Sequence, residues 1–224
     1  MSEKTSFADL RRELGAQLVR AEQVKPPPGL STGWPKLDQY LLWHGFPKGE
    51  VSLLVSEAGG ATTLWEQSAA KVTAQQQWVA WVNGPSSQLT PWSLRHRQVD
   101  LSKLLCVSPP TDTKQLLWVL QELMSLCLFE LIGCDLGSLW LKEHQVLKLK
   151  KLAARYQTGL VLLTSSPAAY VQKSSFYALI LQFHNHQVIV SRAQHRPTPY
   201  TLDRRDLYAD TLPQLAAGRR ALCG

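Results

Sequence analysis

The stretch GFPKGEVSLLVSEAGGATTL, residues 45–64, has the residue types best suited to a chemical site in this sequence. Its apolar run at 51–55 predicts a short strand, which a loop of small residues joins to the start of a helix. A strand, a glycine loop and a helix in this order present backbone N–H groups and a helix N-terminus to a phosphate. The predicted cofactor-binding residues are Gly59, Gly60, Thr62 and Thr63.

The phosphate-binding pattern G-x-x-x-x-G-K-[ST] is incomplete in this loop. In the window that ends at Thr62, Val55 stands at the first glycine and Ala61 stands at the lysine. Without the lysine, backbone N–H groups alone would have to hold a polyphosphate. We therefore favour a vestigial loop that only turns the chain, with Thr62 and Thr63 capping the helix. Weak nucleotide or anion binding is the alternative.

Composition excludes several classes of protein. The 224 residues contain neither an apolar run of about 18, the length that spans a membrane, nor the apolar stretch of a signal peptide. The sequence thus predicts a cytoplasmic protein without membrane contact. Of the four cysteines, three lie in apolar segments that predict buried thiols, and no CxxC spacing predicts a zinc site. No arrangement of residues predicts a catalytic centre or a metal site.

Short apolar segments alternate with helical segments in the centre of the chain. This alternation predicts an α/β fold with a mostly parallel sheet flanked by helices. Two further segments, 176–183 and 188–193, predict a C-terminal antiparallel hairpin that closes the sheet. The predicted strands are 51–55, 78–83, 104–107, 130–134 and 159–164, and the predicted helices are 62–75, 113–128 and 140–157.

Changes in composition divide the chain into residues 1–29, 30–193 and 194–224. The first part combines an amphipathic helix with a proline-rich linker at 25–29, where a run of prolines favours an extended chain over a helix. The second part is the α/β core, and the third is a tail that contains Arg and Pro. The N-terminal helix can dock on its own core or on another molecule. Its partner-docking candidates are Phe7, Leu10, Leu14 and Leu18.

The net charge of +7 permits contact with nucleic acid or with an acidic protein. The predicted helix at 140–157 is strongly basic, and only Glu143 opposes its positive charges. A solvated helix face is the favoured interpretation, and contact with DNA or an acidic partner is the alternative. The candidate contact residues are Lys142, Lys148, Lys150, Lys151 and Arg155.

Several segments of the chain resemble RecA recombinases. TGWPKLD at 32–38, followed by GFPKG at 45–49, resembles the approach to the nucleotide site of that family. VDLSKLLC at 99–106 and FYA at 176–178 resemble two further RecA segments, the second of which follows a DNA-binding loop. Because these segments occur in the family's order and span residues 30–193, the resemblance implies a RecA-like core.

The departures from RecA concern the residues of phosphoryl transfer. The lysine that contacts the β- and γ-phosphates in RecA is Ala61 here. Residues 84–99, which follow the second core strand, contain no Asp or Glu in place of the catalytic glutamate. Asp135 matches the metal-holding Walker B aspartate, although a turn cap is its favoured role. This chemistry depends on charges placed around the phosphate, so the resemblance implies a protein that is not an enzyme and binds no cofactor.

A short RecA-like chain with these losses, and with shortened DNA-binding loops, resembles the ImuA group. These are accessory proteins of DNA-damage-induced translesion synthesis, related to the SulA cell-division inhibitors. The resemblance implies a nucleoid-associated, non-catalytic adaptor that binds an ImuB-like inactive Y-family polymerase homologue, with RecA as a further partner. The alternatives are a DNA-binding accessory protein that uses the basic helix and a SulA-like inhibitor. The sequence leaves open whether the protomers self-associate.

Overall fold

The computed structural model describes residues 29–56, 59–84, 89–137, 139–165, 175–194 and 197–208. The predicted N-terminal helix lies outside these ranges, as do residues 209–224. The docking candidates Phe7, Leu10, Leu14 and Leu18 therefore remain predictions.

The described residues form ten strands and five α-helices. The strands are β1 (Gly29–Leu30), β2 (Phe46–Pro47), β3 (Val51–Ser56), β4 (Trp78–Val82), β5 (Leu104–Val107), β6 (Phe129–Asp135), β7 (Gly159–Thr164), β8 (Leu179–Phe183), β9 (Gln187–Ala193) and β10 (Tyr200–Asp203). The helices are α1 (Pro35–Tyr40), α2 (Ala61–Ala74), α3 (Pro91–His96), α4 (Thr113–Ser125) and α5 (Glu143–Tyr156). Short 3-10 turns lie at Leu101–Lys103 and Arg204–Tyr208.

Eight strands form one sheet in the order β10-β9-β8-β3-β7-β6-β4-β5. Six neighbouring strands of this sheet, β8, β3, β7, β6, β4 and β5, run parallel to one another. The end formed by β8, β9 and β10 is antiparallel. The predicted α/β fold, with a mostly parallel sheet, flanking helices and a C-terminal antiparallel hairpin, is therefore confirmed.

The central strands bury side chains on both faces of the sheet. Leu53 and Leu54, neighbours in β3, belong to cores on opposite sides, since successive side chains of a strand point to opposite faces. One core lies against α1, α2 and α3 and includes Trp65. The other lies against α4 and α5 and includes Leu120 and Leu149. Burial on both faces explains why these strands are continuous apolar runs in the sequence.

α4 and α5 are shorter than the sequence predicts, whereas α2 has the predicted length and starts one residue earlier. α4 ends at Ser125 rather than at 128, and Cys127 in the following turn has a positive φ of 53°. α5 begins at Glu143 rather than at 140, because Lys142 is the N-cap residue. The sequence pattern does not predict α1 and α3, which are six residues each and begin at proline.

The antiparallel end of the sheet extends into the segment predicted as a tail. β10 pairs with β9 from Tyr200↔Val190 to Asp203↔Gln187. Two burial predictions are also wrong: Cys106 and Cys127 are exposed, and Cys134 is buried. Cys106 lies on the edge strand β5 and Cys127 lies in a turn, where neighbouring strands and helices cover a side chain less completely than in the centre of the sheet.

Candidate functional site

The candidate site lies where β3, β4 and β6 end. Their carboxyl ends meet at one edge of the parallel sheet, which is where α/β folds bind ligands. The glycine loop with Gly59 and Gly60 follows β3, Gly84 follows β4, and Asp135 is the last residue of β6. β7 lies between β3 and β6, so the glycine loop and Asp135 start about 10 Å apart, two strand spacings.

The glycine loop ends in two left-handed residues. Gly59 has a φ of +75° and Gly60 a φ of +102°, conformations that favour glycine. Ser56 Oγ donates a hydrogen bond of 2.6 Å to the Gly59 carbonyl. Gly60 is the N-cap residue of α2 and its carbonyl accepts from Leu64 N. The glycines are therefore required by the backbone conformation whether or not the loop binds an anion.

The two threonines do not cap α2, contrary to the sequence prediction. The helix begins at Ala61, so Thr62 and Thr63 lie within its first turn and are half-buried. No side chain forms a cap hydrogen bond at Gly60. The helix starts one residue earlier than the sequence predicts, which places both threonines after its N-cap residue, Gly60.

An arginine from the far end of the sheet lies beside the glycine loop. A methyl group on Gly60 would lie 3.0 Å from Arg204 Nη2 and 3.1 Å from Phe183 Cδ1. Arg204 Nη1 donates to the His184 carbonyl at 3.2 Å, which directs the side chain along the end of β8. The sequence does not predict this residue as part of the site, because only the pairing of β10 with β9 brings it to the loop. No local pattern in the sequence indicates this proximity.

Alanine at Gly60 is expected to cost more stability than alanine at Gly59. Both positions have positive φ, which costs an L-residue about 1–2 kcal/mol. A methyl group at Gly59 meets nothing within 4 Å, whereas one at Gly60 crowds Phe183 and Arg204. Gly60→Ala should therefore lose about 1 kcal/mol more in free energy of unfolding than Gly59→Ala, as measured by urea denaturation. Equal losses would contradict the close packing of Arg204.

Asp135 is positioned by its own turn. Its Oδ1 accepts a hydrogen bond of 2.9 Å from Gly137 N. A methyl group on Gly84 would lie 2.7 Å from Asp135 Oδ2, so the carboxyl occupies the space that this glycine leaves. Burial raises the pKa of Asp135, and the Gly137 hydrogen bond opposes this shift. The geometry matches the favoured interpretation of a turn cap.

The residue that follows β4, Asn83, is held by two hydrogen bonds. Trp81 Nε1 donates to Asn83 Oδ1 at 3.1 Å, and Asn83 Nδ2 donates to the Val107 carbonyl at 3.0 Å. These two bonds tie Asn83 to its own strand and to β5. Among the residues that the structure describes, no three His, Cys, Asp or Glu side chains are grouped so that they could hold a metal ion.

The TGWPKLD segment forms a hydrogen-bonded turn ahead of α1. Asp38 Oδ1 accepts from Thr32 N at 3.0 Å and from Thr32 Oγ1 at 2.6 Å, and Oδ2 accepts from Ser31 Oγ at 2.6 Å. Burial raises the pKa of Asp38, and these hydrogen bonds oppose the shift. The segment that resembles the RecA approach to the nucleotide thus has a structural role here, because its carboxylate satisfies neighbouring donors.

The predicted basic contact residues occupy three environments. Lys142 is exposed at the N-cap of α5. Lys150 Nζ forms an ion pair of 3.0 Å with Glu50 Oε2, just before β3. The other three are exposed and share the outward face of α5: Lys148, Lys151 and Arg155. The structure therefore separates Lys150 from the residues available to a partner.

The described residues define an α/β fold consistent with a RecA-like core, with a glycine loop that lacks its lysine. The sequence matched no protein-family model, and a search of curated proteins gave no match. In the part of the chain that the structure describes, no helix is long and apolar enough to span a membrane.

Proposed function

We propose that this chain is a non-catalytic adaptor with a RecA-like core, acting in DNA-damage-induced mutagenic translesion synthesis. The observation that carries the proposal is a retained glycine loop with Ala61 in place of the lysine. Asp135, which caps its own turn, and Asn83, which stands at the end of β4, support it. Following the ImuA resemblance, the proposed partners are an ImuB-like inactive polymerase homologue and RecA. The proposed location is the nucleoid in the cytoplasm.

Two exposed tryptophans are the proposed partner contacts. Trp92 on α3 is 76% exposed and Trp118 on α4 is 61% exposed. Trp92 stacks on His96 with ring centroids 5.5 Å apart, and α3 is anchored because Ser93 Oγ donates to Glu66 Oε1 at 2.7 Å. Tryptophan is enriched among residues that dominate binding energy in protein interfaces. The two lie on helices that cover opposite faces of the sheet, so they define two separate docking faces.

The absence of catalysis is tested with the full chain, ATP and Mg²⁺, with and without single-stranded DNA. We expect phosphate release no faster than in a protein-free blank, and no change in the Asp135→Asn variant. Circular dichroism checks that this variant folds. DNA-stimulated release that Asp135→Asn abolishes would overturn the proposal.

The adaptor role is tested by binding to an ImuB-like polymerase homologue, measured by interferometry. Trp92→Ala and Trp118→Ala serve as controls for each other, because the two tryptophans lie on different docking faces and the polymerase homologue is expected to bind only one of these faces. We expect one variant to bind about 30-fold more weakly, the equivalent of about 2 kcal/mol for an interface hot spot, and the other to bind normally. No binding by the unmodified chain, with filamentous growth on overexpression, would favour the SulA-like alternative.

A further inference from the structure

The outward face of α5 carries a row of basic side chains. Its members are separated by four, three and four residues, a spacing that aligns side chains along one helix face. The members of this basic row are His144, Lys148, Lys151 and Arg155, and all four are exposed. The row spans about 17 Å, because each residue advances the helix by about 1.5 Å.

The row points directly away from the core. Val146, Leu149 and Ala153 are buried on the opposite side of α5 and contact the second hydrophobic core. Because the buried side fixes the rotation of the helix, the row cannot turn inward. The position of the row is thus set by core packing and does not depend on a partner.

Ion pairs do not neutralise the row. Lys150, next to Lys151 in sequence, is turned toward β3 and pairs with Glu50. The basic row itself forms no ion pair with any residue that the structure describes. The charges of Lys148, Lys151 and Arg155 are therefore available to an external anion.

We infer that the basic row binds the phosphate backbone of nucleic acid. One strand presents a phosphate every 3.4 Å or so along the helix axis, so a row of this length faces about five phosphates. Protein interfaces are instead rich in aromatic residues and poor in lysine, and the row contains no aromatic residue. Phosphate contacts carry no sequence information, so the binding is independent of base sequence. This inference stands apart from the proposed adaptor role and from the glycine loop.

The test uses the full chain and fluorescein-labelled 30-nucleotide single strands and 30-base-pair duplexes of unrelated sequences, titrated by fluorescence anisotropy. We expect binding at low salt with a logarithm of affinity that falls linearly with the logarithm of salt concentration. The triple variant Lys148→Gln, Lys151→Gln, Arg155→Gln should bind more than tenfold more weakly. Its salt slope should be shallower by about 2–3, the value for three lost phosphate contacts.

The matched control removes the same charge elsewhere. The control is the triple variant with Lys71→Gln, Lys114→Gln and Arg95→Gln, which changes exposed residues on α2, α4 and α3. It should keep the affinity within about twofold and the salt slope unchanged, because these residues are expected to contact no phosphate.

Equal weakening by both triple variants would show that net charge alone acts, and would overturn the inference. Absence of oligonucleotide binding at low salt would also overturn it. So would binding of polyglutamate alone, which would assign the row to an acidic protein. None of these outcomes alters the tests of ATP turnover or polymerase binding.

Discussion

Replacing Gly133 by valine is expected to leave the chain unfolded. Gly133 lies in the middle of β6, where the first side-chain carbon would be 2.3 Å from Trp65 Nε1 and 2.5 Å from Trp81 Cε3. Both tryptophans are fully buried, and their rings pack with centroids 4.5 Å apart. Neither ring can retreat without opening the core between the sheet and α2. Overpacking usually costs about 1–3 kcal/mol and occasionally more. Valine at Gly133 adds two further methyl groups to a carbon that already overlaps two buried rings, so we expect its cost to exceed that range and approach the roughly 5–15 kcal/mol that holds a domain folded.

Gly159→Ala is the matched control for Gly133→Ala. Gly159 lies in the adjacent strand β7, and its added methyl group would first meet the mobile end of Leu30 at 3.0 Å. We expect Gly159→Ala to keep the urea midpoint and the near-ultraviolet circular dichroism of the unmodified chain. Gly133→Ala should be strongly destabilised, and Gly133→Val should be insoluble. Equal urea midpoints for the two alanine variants would show that the tryptophan pair does not close over β6.

Glu66→Ala is expected to lose about 3–5 kcal/mol in free energy of unfolding, the cost of breaking a buried ion pair from one side. Arg97 Nε lies 2.7 Å from Glu66 Oε2, with only 15% and 6% of the two side chains exposed. Ser93 Oγ donates to the other carboxylate oxygen. Arg97 Nη1 has no hydrogen-bond partner among the described residues. Removing Glu66 would therefore leave a buried guanidinium without its anion, and α3 would lose its anchor on α2.

Chemical denaturation of single and double variants tests this origin of the loss. Replacing both partners with methionine should recover most of the stability, because no unpaired charge is then buried. The pair of exposed Lys36 and half-buried Asp206, 2.8 Å apart, provides a control. Lys36→Ala should barely change the midpoint, since solvent screens the charge of an exposed lysine. A double variant as unstable as Glu66→Ala would assign the loss to packing alone.

The sequence predicts the centre of this fold well. Each of the five predicted parallel strands is present. Four of them are central, and a strand buried on both faces needs an uninterrupted apolar run; the fifth, β5, is the partly exposed edge strand. The glycine loop is also predicted, since its conformations favour glycine. Local patterns fail for α1 and α3, which are short, and for β10, whose stability comes from pairing with β9.

The sequence by itself determined the α/β class, the alanine at 61 where the phosphate-binding pattern has lysine, and the acid-free stretch at 84–99, because these are properties of residue type and local order. Only the tertiary structure decided which charged residues meet. It brought Arg204 beside Gly60, paired Glu66 with Arg97, and turned Lys150 toward Glu50. Such contacts join residues far apart in the chain, and they depend on strand order and helix rotation. The apolar stripe of a helix fixes its rotation, but strand order, which decides which elements lie side by side, is set by packing across the whole sheet.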